Sequence, residues 1–563
     1  MAAILNAANV SATARKRLRS GTNEGKATMD TWRRNEVSRR RLLGSALGAG
    51  AGVAGLALVG CGDDGDDDGE NGSPTTAGGN TPAVKTPKAG GTLVVDSGEP
   101  IATALVYAFN QANYYLRNGI WDQLITQGED NRPQLMLAEV FEMKPDYTGA
   151  HIKLRSGLTF HDGRALTSAD VRFSIESFRA DATTSQLKNP GKLITDIKTP
   201  DPLTIDVTFV GPRPYMEDYF ALLPIIDENT VANAVQMKVL NGAGPFKFVS
   251  YTPNQGYILE RNPNYWATGK PYVERIQGKI YSDDQARTLA LQSGELMHTN
   301  LATPAMVKRL REDKNITITD GGIGGSWYAG LVVDRPETKD VRVRQALTLA
   351  IDRQRIAKEW GEGVIPAQVL PWPKESPAYI AEDEALLKYD PERAKSLIKQ
   401  AGAENVAIPM DIGQGREGIA QYAQDDWRAI GVNAQLNLSE SSAYNERFRL
   451  RKTEGVFVSP FGFSDGMHPA TFFDFAQPVR LPNPSHYEPA DYKGVLAKLT
   501  ETDPRSAEGR ELLRAWNKRY LIDDPWMVPL AVSNSFFAMR KQVIAEAKGA
   551  RDAPILAEFW IDA

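Results

Sequence analysis

From residue 90 onward, hydrophobic and polar positions follow two kinds of spacing that replace each other along the chain. Strict alternation of apolar and polar residues is typical of a strand with one buried face. It is clearest at 203–209, where every second residue from Leu203 to Phe209 is apolar. Shorter runs of the same kind predict further strands at 152–154, 257–260 and 434–438.

Helical spacing fills the intervals between these strands. A capping-box pattern opens the segment 167–178, in which apolar residues then recur every three or four positions. The segment 390–402 begins with Asp-Pro and ends with glycine, which is typical of a helix with both ends marked. A further helix is predicted over 341–358. Together the two spacings predict an α/β or α+β protein with more than one lobe.

The first 60 residues have the pattern of an export signal. A basic stretch that contains Arg39 and Arg40 precedes an uncharged run over 44–60, which is the order found in secretory signals. The paired arginines resemble the twin-arginine export motif. A plain basic segment that uses the general secretory route is the alternative.

Cys61 is the only cysteine of the chain, and it directly follows this uncharged run. Small residues before a cysteine resemble a bacterial lipobox, in which the thiol is lipidated and the cysteine becomes the first residue. A single cysteine also excludes an intramolecular disulfide and a cysteine-based metal site. Residues 61–90 are rich in Gly, Pro, Thr and Asp without apolar periodicity, which predicts a flexible acidic tether.

Composition and charge narrow the class of protein. The chain has 563 residues, of which 42% are hydrophobic and 24% charged, as in an ordinary soluble globular protein of several domains. Residues 1–60 carry a formal charge of +7, whereas the remainder carries −12. An acidic body without a basic stripe argues against nucleic-acid binding, because phosphate neutralisation needs clustered Lys and Arg.

Catalytic and metal-binding motifs do not stand out in this sequence. The five histidines are scattered, and no P-loop, HExxH or GxSxG motif is present. We therefore predict no enzymatic activity, no catalytic residue, no cofactor and no metal site.

Six segments between residues 90 and 563 carry a recognisable pattern. They are GGTL at 90–93, LRSGLTFHDG and LTSADV within 154–171, GAGPF at 242–246 with ERNPNYW at 260–266, DVRVRQAL and AIDR within 340–353, YDPERA at 389–394, and DPWMVPL at 524–530. In sequence and in order these segments resemble the oligopeptide/dipeptide class, family 5, of the extracytoplasmic solute-binding proteins that serve ABC importers.

The resemblance implies an α/β, two-lobed, periplasmic-binding-protein-like fold with crossover strands at a hinge. Ligand would bind in the cleft between the lobes, and a membrane permease would recognise the closed form. The implied division is a signal peptide at 1–60, a lipidated cysteine and tether at 61–90, lobe 1 at 91–330 with an extra subdomain at about 128–200, lobe 2 at 331–530, and a return to lobe 1 at 531–563.

The same resemblance implies the ligand-binding residues. An aspartate at the position of Asp465 receives the α-ammonium group of the peptide in peptide-binding relatives. Trp327 and Tyr328, at the first crossover, and Phe463 are further candidates for the cleft. The alternative for Asp465 is an Asp-Gly surface turn. The alternative for the aromatic residues is ordinary core packing, which is favoured for Phe463 and Trp372.

Three positions depart from the family pattern. Gly462 replaces a tryptophan, His468 replaces the aspartate of a following Asp-Pro pair, and Met297 replaces the aspartate of a Gly-Glu-x-Asp segment. The first two changes put the lining of the pocket, and hence the ligand, in question. The segments 161–163 and 262–263 are predicted to be turns rather than sites.

The resemblance implies a monomeric substrate-binding protein, held by a lipid anchor at the outer face of the cytoplasmic membrane. It would capture short peptides and deliver them to an ABC permease with its ATPase subunits, with no nucleic-acid partner. An oligosaccharide, an opine-like compound or a nickel chelate are alternative ligands for the same scaffold. A secreted hydrolase and a sensor that presents ligand to a signalling partner are the alternatives from other classes.

Overall fold

The computed structural model describes residues 86–97, 107, 114–127, 132–183, 185–281, 283–301, 303–370, 372, 374, 376–462, 468–475, 478–545 and 555–562. The predicted export signal with Arg39 and Arg40, the predicted lipidation site Cys61, and the candidate ligand residues Phe463 and Asp465 lie outside the described residues.

Strands and helices alternate along most of the described chain. The strands are β1 Thr92–Asp96, β2 Ile125–Gln127, β3 Pro133–Leu135, β4 Ala138–Met143, β5 Gly149–Leu154, β6 Ile194–Asp201, β7 Thr204–Phe209, β8 Phe246–Thr252, β9 Gly256–Arg261, β10 Arg275–Lys279, β11 His298–Leu301, β12 Ile316–Leu331, β13 Ala407–Gly413, β14 Asn433–Ser439, β15 Val456–Gly462, β16 Met527–Arg540, β17 Val543–Ile544 and β18 Trp560–Ile561. The α-helices are α1 Tyr114–Ile120, α2 Ser168–Arg179, α3 Lys188–Lys192, α4 Met216–Leu222, α5 Val231–Val235, α6 Asp284–Ser293, α7 Pro304–Leu310, α8 Val341–Leu349, α9 Arg353–Glu359, α10 Ala381–Glu384, α11 Pro391–Ala401, α12 Glu417–Ala429, α13 Ser441–Arg449, α14 Pro469–Phe475, α15 Tyr492–Glu501 and α16 Ala507–Lys518.

Two long strands run through the centre of the largest sheet. This sheet has the order β14-β13-β15-β12-β16-β11-β1-β10-β9-β8. β12 and β16 pair antiparallel from Ile316 opposite Arg540 to Gly330 opposite Met527. The end of β12 also pairs with β15, and the end of β16 pairs with β11. Because these long strands pair with strands from both ends of the sheet, the chain forms two lobes joined by crossover strands, as predicted.

The second crossover strand, β16, is buried over nearly its whole length. Most of its side chains are less than one tenth exposed, on both faces of the sheet. A strand covered on both faces shows a continuous apolar run rather than alternation, and the run from Met527 to Val532 has this character. The crossover is therefore part of the hydrophobic core.

A separate four-stranded sheet, in the order β4-β5-β7-β6, precedes the crossover. Helix α2 buries Val171, Ile175 and Phe178, which are the apolar positions expected from their spacing. The backbone N–H of Thr167 donates to the Asp170 carboxylate at 2.8 Å, as the capping box predicts. This sheet overlaps the predicted subdomain, whose limits, like those of the lobes, stay a prediction.

The helix predicted over 341–358 is wrong as a single element. α8 ends at Leu349 and α9 begins at Arg353. The carboxylate of Asp352 accepts the backbone N–H of Arg355 at 3.0 Å, so this residue caps a new helix. The apolar spacing continues across the break because Ile351 between the helices is also buried.

The helix predicted at 390–402 is confirmed, with both of its end signals. The Asp390 carboxylate accepts the backbone N–H of Arg393 at 2.9 Å. Gly402 ends the helix with φ +64°, in the left-handed region that favours glycine.

The segment 161–163 forms a turn, as predicted, and it packs on another family segment. The backbone N–H of Gly163 donates to the carbonyl of Phe160 at 2.9 Å, and that of His161 donates to Gly242 at 2.7 Å. A Cβ atom on Gly242 would lie 1.9 Å from the carbonyl oxygen of Ile120. The glycine is therefore required by the close approach of two backbones.

We expect Gly242→Ala to destabilise the protein by about 2 kcal/mol or more, because the backbone of α1 would have to move. Gly494→Ala is the matched control, since a Cβ atom there meets no atom within 4 Å. That change should be neutral or stabilise the exposed helix by about 0.5–1 kcal/mol. Urea unfolding of both variants measures the difference, and equal midpoints would contradict this account of Gly242.

Candidate functional site

The crossover strand β12 carries two of the predicted site residues, Trp327 and Tyr328, and β15 is its neighbour in the sheet. In the register of β12 and β15, Trp327 lies opposite Pro460 and Tyr328 lies opposite Ser459. β15 then leads into the segment 463–467, which carries the two remaining candidates, and α14 begins directly beyond it. The ligand roles of all four candidates stay predictions.

The described aromatic candidates differ in exposure. Trp327 is half-buried and packs edge-to-face on Trp360, with 5.8 Å between the ring centroids. Tyr328 is fully buried against Phe457, and this burial raises the pKa of its hydroxyl well above the usual value. Trp372 lies in an aromatic core cluster, so core packing is confirmed for it. Trp327 therefore has the surface that a ligand could contact.

A buried carboxylate that the sequence interpretation missed lies beside α14. Asp218 of α4 accepts the backbone N–H of His468 at 2.8 Å and the hydroxyl of Thr471. Its other oxygen accepts the Gln127 side-chain amide at 3.0 Å. The available signal was an acid in an otherwise largely apolar helix, directly before the run Tyr219–Leu222, since such an acid must find donors when it is buried.

His468, one of the departures from the family pattern, has a structural role. Its Nδ1 accepts the backbone N–H of Ala470 at 3.1 Å, at the start of α14. An aspartate could accept the same N–H, so either residue can cap this helix. Burial lowers the pKa of the His468 imidazole to about 3, which keeps the ring neutral at physiological pH.

Three further hydrogen-bonded pairs join the same two parts of the chain. Tyr215 donates to Asp474 at 3.2 Å, Arg213 donates to Glu501 at 3.0 Å, and Tyr147 donates to Asp503 at 3.1 Å. We call these pairs, together with the contacts of Asp218, the cross-lobe contacts. Apart from the Gln127–Asp218 hydrogen bond, each one joins the chain before β12 to the chain between β15 and β16.

A cavity of about 520 Å³ lies between α3 and the region of α13–α15. This volume is typical of a small-molecule site. Its lining residues are Asn189, Arg449, Arg451, Phe473, Asp474, Arg480, Leu481, Pro482, Lys493, Leu496, Ala497 and Thr500. Since Asn189 precedes the crossover and the other lining residues follow it, the cavity lies between parts of the chain that the crossover separates.

The remaining departure, Met297, lies in the hydrophobic core. Its backbone N–H donates to the carbonyl of Val94 at 2.9 Å, and its carbonyl accepts the N–H of Arg540 at 3.0 Å. This position joins β1 to the end of β16, so the apolar side chain suits it.

The described residues contain no group of three or more His, Cys, Asp or Glu side chains that could hold a metal ion.

Helices long and apolar enough to cross a membrane are likewise absent from the described part of the chain.

The family model for bacterial extracellular solute-binding proteins, family 5 (middle part), matches residues 132–478. The chain belongs to this family. The oligopeptide-binding protein AppA of Bacillus subtilis is 27% identical to this family 5 protein over 402 residues, and the match covers 64% of this chain and 71% of that protein.

Solved structures show the same fold. The binding protein DppA from Helicobacter pylori, solved with the peptide STSA, has a TM-score of 0.71 and 21% identity, and the match covers 84% of this chain and 99% of that chain. AgaA from A. tumefaciens R10, solved with agropinic acid, has a TM-score of 0.71 and 22% identity, with 84% and 99% covered.

These comparisons confirm the predicted family and the two-lobed fold. The protein is a substrate-binding component of an ABC importer and belongs to an extracytoplasmic family. Its relatives are binding proteins rather than enzymes.

We expect Asp218→Asn to lower the free energy of unfolding by about 1–3 kcal/mol, because an amide nitrogen would replace one acceptor and leave a buried donor unpaired. Asp206→Asn is the matched control, since Asp206 is exposed and pairs only with His151 across a strand pair. Exposed ion pairs contribute about 0–1 kcal/mol. Chemical unfolding compares the two variants, and similar losses would contradict the role given to Asp218.

The pH dependence of stability should depend on His298 of β11. Burial lowers the pKa of this imidazole from 6.5 to about 3, so the ring is neutral in the folded protein. There it contacts the Tyr115 hydroxyl. Stability from this residue is present above pH 6.5 and is lost as the pH falls toward 3.

We therefore expect the free energy of unfolding of the wild type, measured with urea, to fall between pH 6 and pH 4.5. Protonation of His298 should contribute up to about 1.4 kcal/mol per pH unit to this fall. His298→Gln, although less stable at pH 7, should show a shallower decline. His151→Gln, at an exposed site, should keep the wild-type slope. A slope unchanged by His298→Gln would refute the assignment.

Proposed function

We propose that this protein captures short peptides between its two lobes and delivers them to the membrane permease of its ABC importer. The observation that carries the proposal is the cavity of about 520 Å³ between α3 and α13–α15, close in sequence to the Asp465 segment. Peptide binding in AppA and DppA supports the same ligand class.

In this proposal Asp465 receives the α-ammonium group of the peptide. A carboxylate enclosed in a cleft needs an opposite charge, and an ammonium group supplies it with charge-assisted hydrogen bonds. Trp327 offers apolar contact area with few rotatable bonds. Main-chain hydrogen bonds would hold the rest of the peptide and tolerate varied side chains.

Ligand also favours closure of the lobes, because only the closed form contacts it from both sides. The closed form is the one that the permease recognises.

Export and anchoring complete the proposal. Arg39 and Arg40 direct export, and Cys61 carries the lipid that holds the protein at the outer face of the cytoplasmic membrane. The tether 61–90 has 30 residues, so as a flexible coil it spans about 30 Å. That distance lets a monomeric binding protein move between solution and the permease while it stays anchored.

Native mass spectrometry of the mature chain, purified without refolding, tests peptide capture. We expect a set of co-purified masses equal to those of short peptides. Asp465→Asn should weaken their binding about tenfold to hundredfold, because a charge-assisted hydrogen bond is lost. Asp425→Asn is the matched control, since Asp425 is an exposed residue of α12 that pairs with Arg428.

A single mass equal to that of an oligosaccharide, an opine-like compound or a nickel chelate would mean that the same scaffold binds that compound and not a peptide. Peptide masses retained equally by Asp465→Asn and Asp425→Asn would remove Asp465 from the site.

A further inference from the structure

The cavity between α3 and α13–α15 is lined by an excess of basic side chains. Arg449, Arg451, Arg480 and Lys493 border it, together with one carboxylate, that of Asp474. They come from α13, the loop after α14, and the start of α15. A cluster of cations in a concave surface is notable because the body of this protein is acidic overall.

One of the four cations is already neutralised by the protein. Arg451 pairs with Glu488 at 2.6 Å, and its Nε donates to the carbonyl of Asn483 at 2.9 Å. Within the described part of the chain, the side chains of the other three form no ion pair or hydrogen bond. Three cations, of which Arg480 is half-buried and Arg449 and Lys493 are exposed, therefore border the cavity without an ion-pair partner among the described residues.

The single carboxylate offsets little of this charge. Asp474 is engaged by the Tyr215 hydroxyl, which donates to it at 3.2 Å. Burial raises the pKa of this carboxyl, although the nearby Arg480 lowers it in part. Even with Asp474 fully ionised, two positive charges remain in excess, and the apolar side chain of Phe473 beside it adds none.

Cations that share one concavity add their fields there, whereas cations on a convex surface are each screened by water. Guanidinium groups bind carboxylates with two parallel hydrogen bonds, and an ammonium group adds a point charge. The cavity is thus suited to a carboxylate.

We propose that this cavity binds a carboxylate group of the transported ligand, so that the ligand class is small molecules with surplus negative charge. The inference rests on the proposed capture of ligand between the lobes and adds the charge of that ligand. An acidic peptide and a non-peptide polycarboxylate both have this chemistry. Arg480 and Lys493 are the residues on which the preference depends.

Isothermal titration calorimetry on the mature protein, freed of co-purified ligand, tests the inference with three peptides of equal length. The peptides are Ala-Glu-Ala, Ala-Gln-Ala and Ala-Lys-Ala, each amidated at its C-terminus so that only the Glu side chain supplies a carboxylate. We expect Ala-Glu-Ala to bind at least about tenfold more tightly than Ala-Gln-Ala, since one charge-assisted contact separates them. Ala-Lys-Ala should bind most weakly, and added salt should reduce the difference.

The double variant Arg480→Gln/Lys493→Gln should lose the preference for Glu over Gln, so that these two peptides bind with similar affinity. Lys498→Gln is the matched control, because Lys498 is an exposed residue of α15 that does not line the cavity. It should keep the wild-type preference. Equal affinities for the three peptides, or a preference that survives the double variant, would overturn the inference and leave peptide capture intact.

Titration with citrate separates the inference from the proposed function. If no peptide binds but citrate binds to the wild type and not to the double variant, the carboxylate site stands and peptide capture is wrong. If neither citrate nor any of the three peptides binds, the carboxylate site is wrong.

Discussion

The pairing of β12 with β16 is the constraint on which the rest of the structure depends. Both strands belong to both ends of the ten-stranded sheet, so any movement of one lobe relative to the other must be absorbed along them. Their register shifts at three places, one of them between Trp327 and Tyr328. A bulge is a point at which a strand bends and twists, so the candidate aromatic residues lie at a bend in the crossover.

The cross-lobe contacts and the basic cavity differ in what they need: the contacts form within the protein, whereas the cavity acts through a bound ligand. Asp218, Tyr215 and Arg213 bond to groups of the protein itself, so the contact between these two parts of the chain does not require ligand. The cations that border the cavity all lie between β12 and β16, so in the proposed carboxylate site they attract an anionic ligand from one side of the cavity. A ligand shifts the equilibrium between the open and the closed form only by the difference between its binding free energies for these two forms.

Local signals predicted much of the fold, whereas contacts between distant segments escaped prediction. Alternation identified β7, and caps identified the helix that starts after Asp390, because these signals depend on neighbouring residues. The break at Asp352 was missed because apolar spacing continued through it. Asp218 was missed because His468 and Thr471 lie about 250 residues away in sequence. The basic cavity was missed because its cations come from two helices and from loops, and sequence spacing does not show that these meet. The ordered family segments supplied the lobes, which spacing alone did not.

The register of the crossover also determines when this chain can fold. Gly330 pairs with Met527 and Ile316 with Arg540, so β12 cannot form this pairing until β16 has been synthesised. A ribosome must therefore complete nearly the whole chain before the sheet can close, and an N-terminal half released early would expose an unpaired strand edge. Closure of the ten-stranded sheet is therefore a late step in the folding of this chain, whereas the four-stranded sheet needs only residues 138–209.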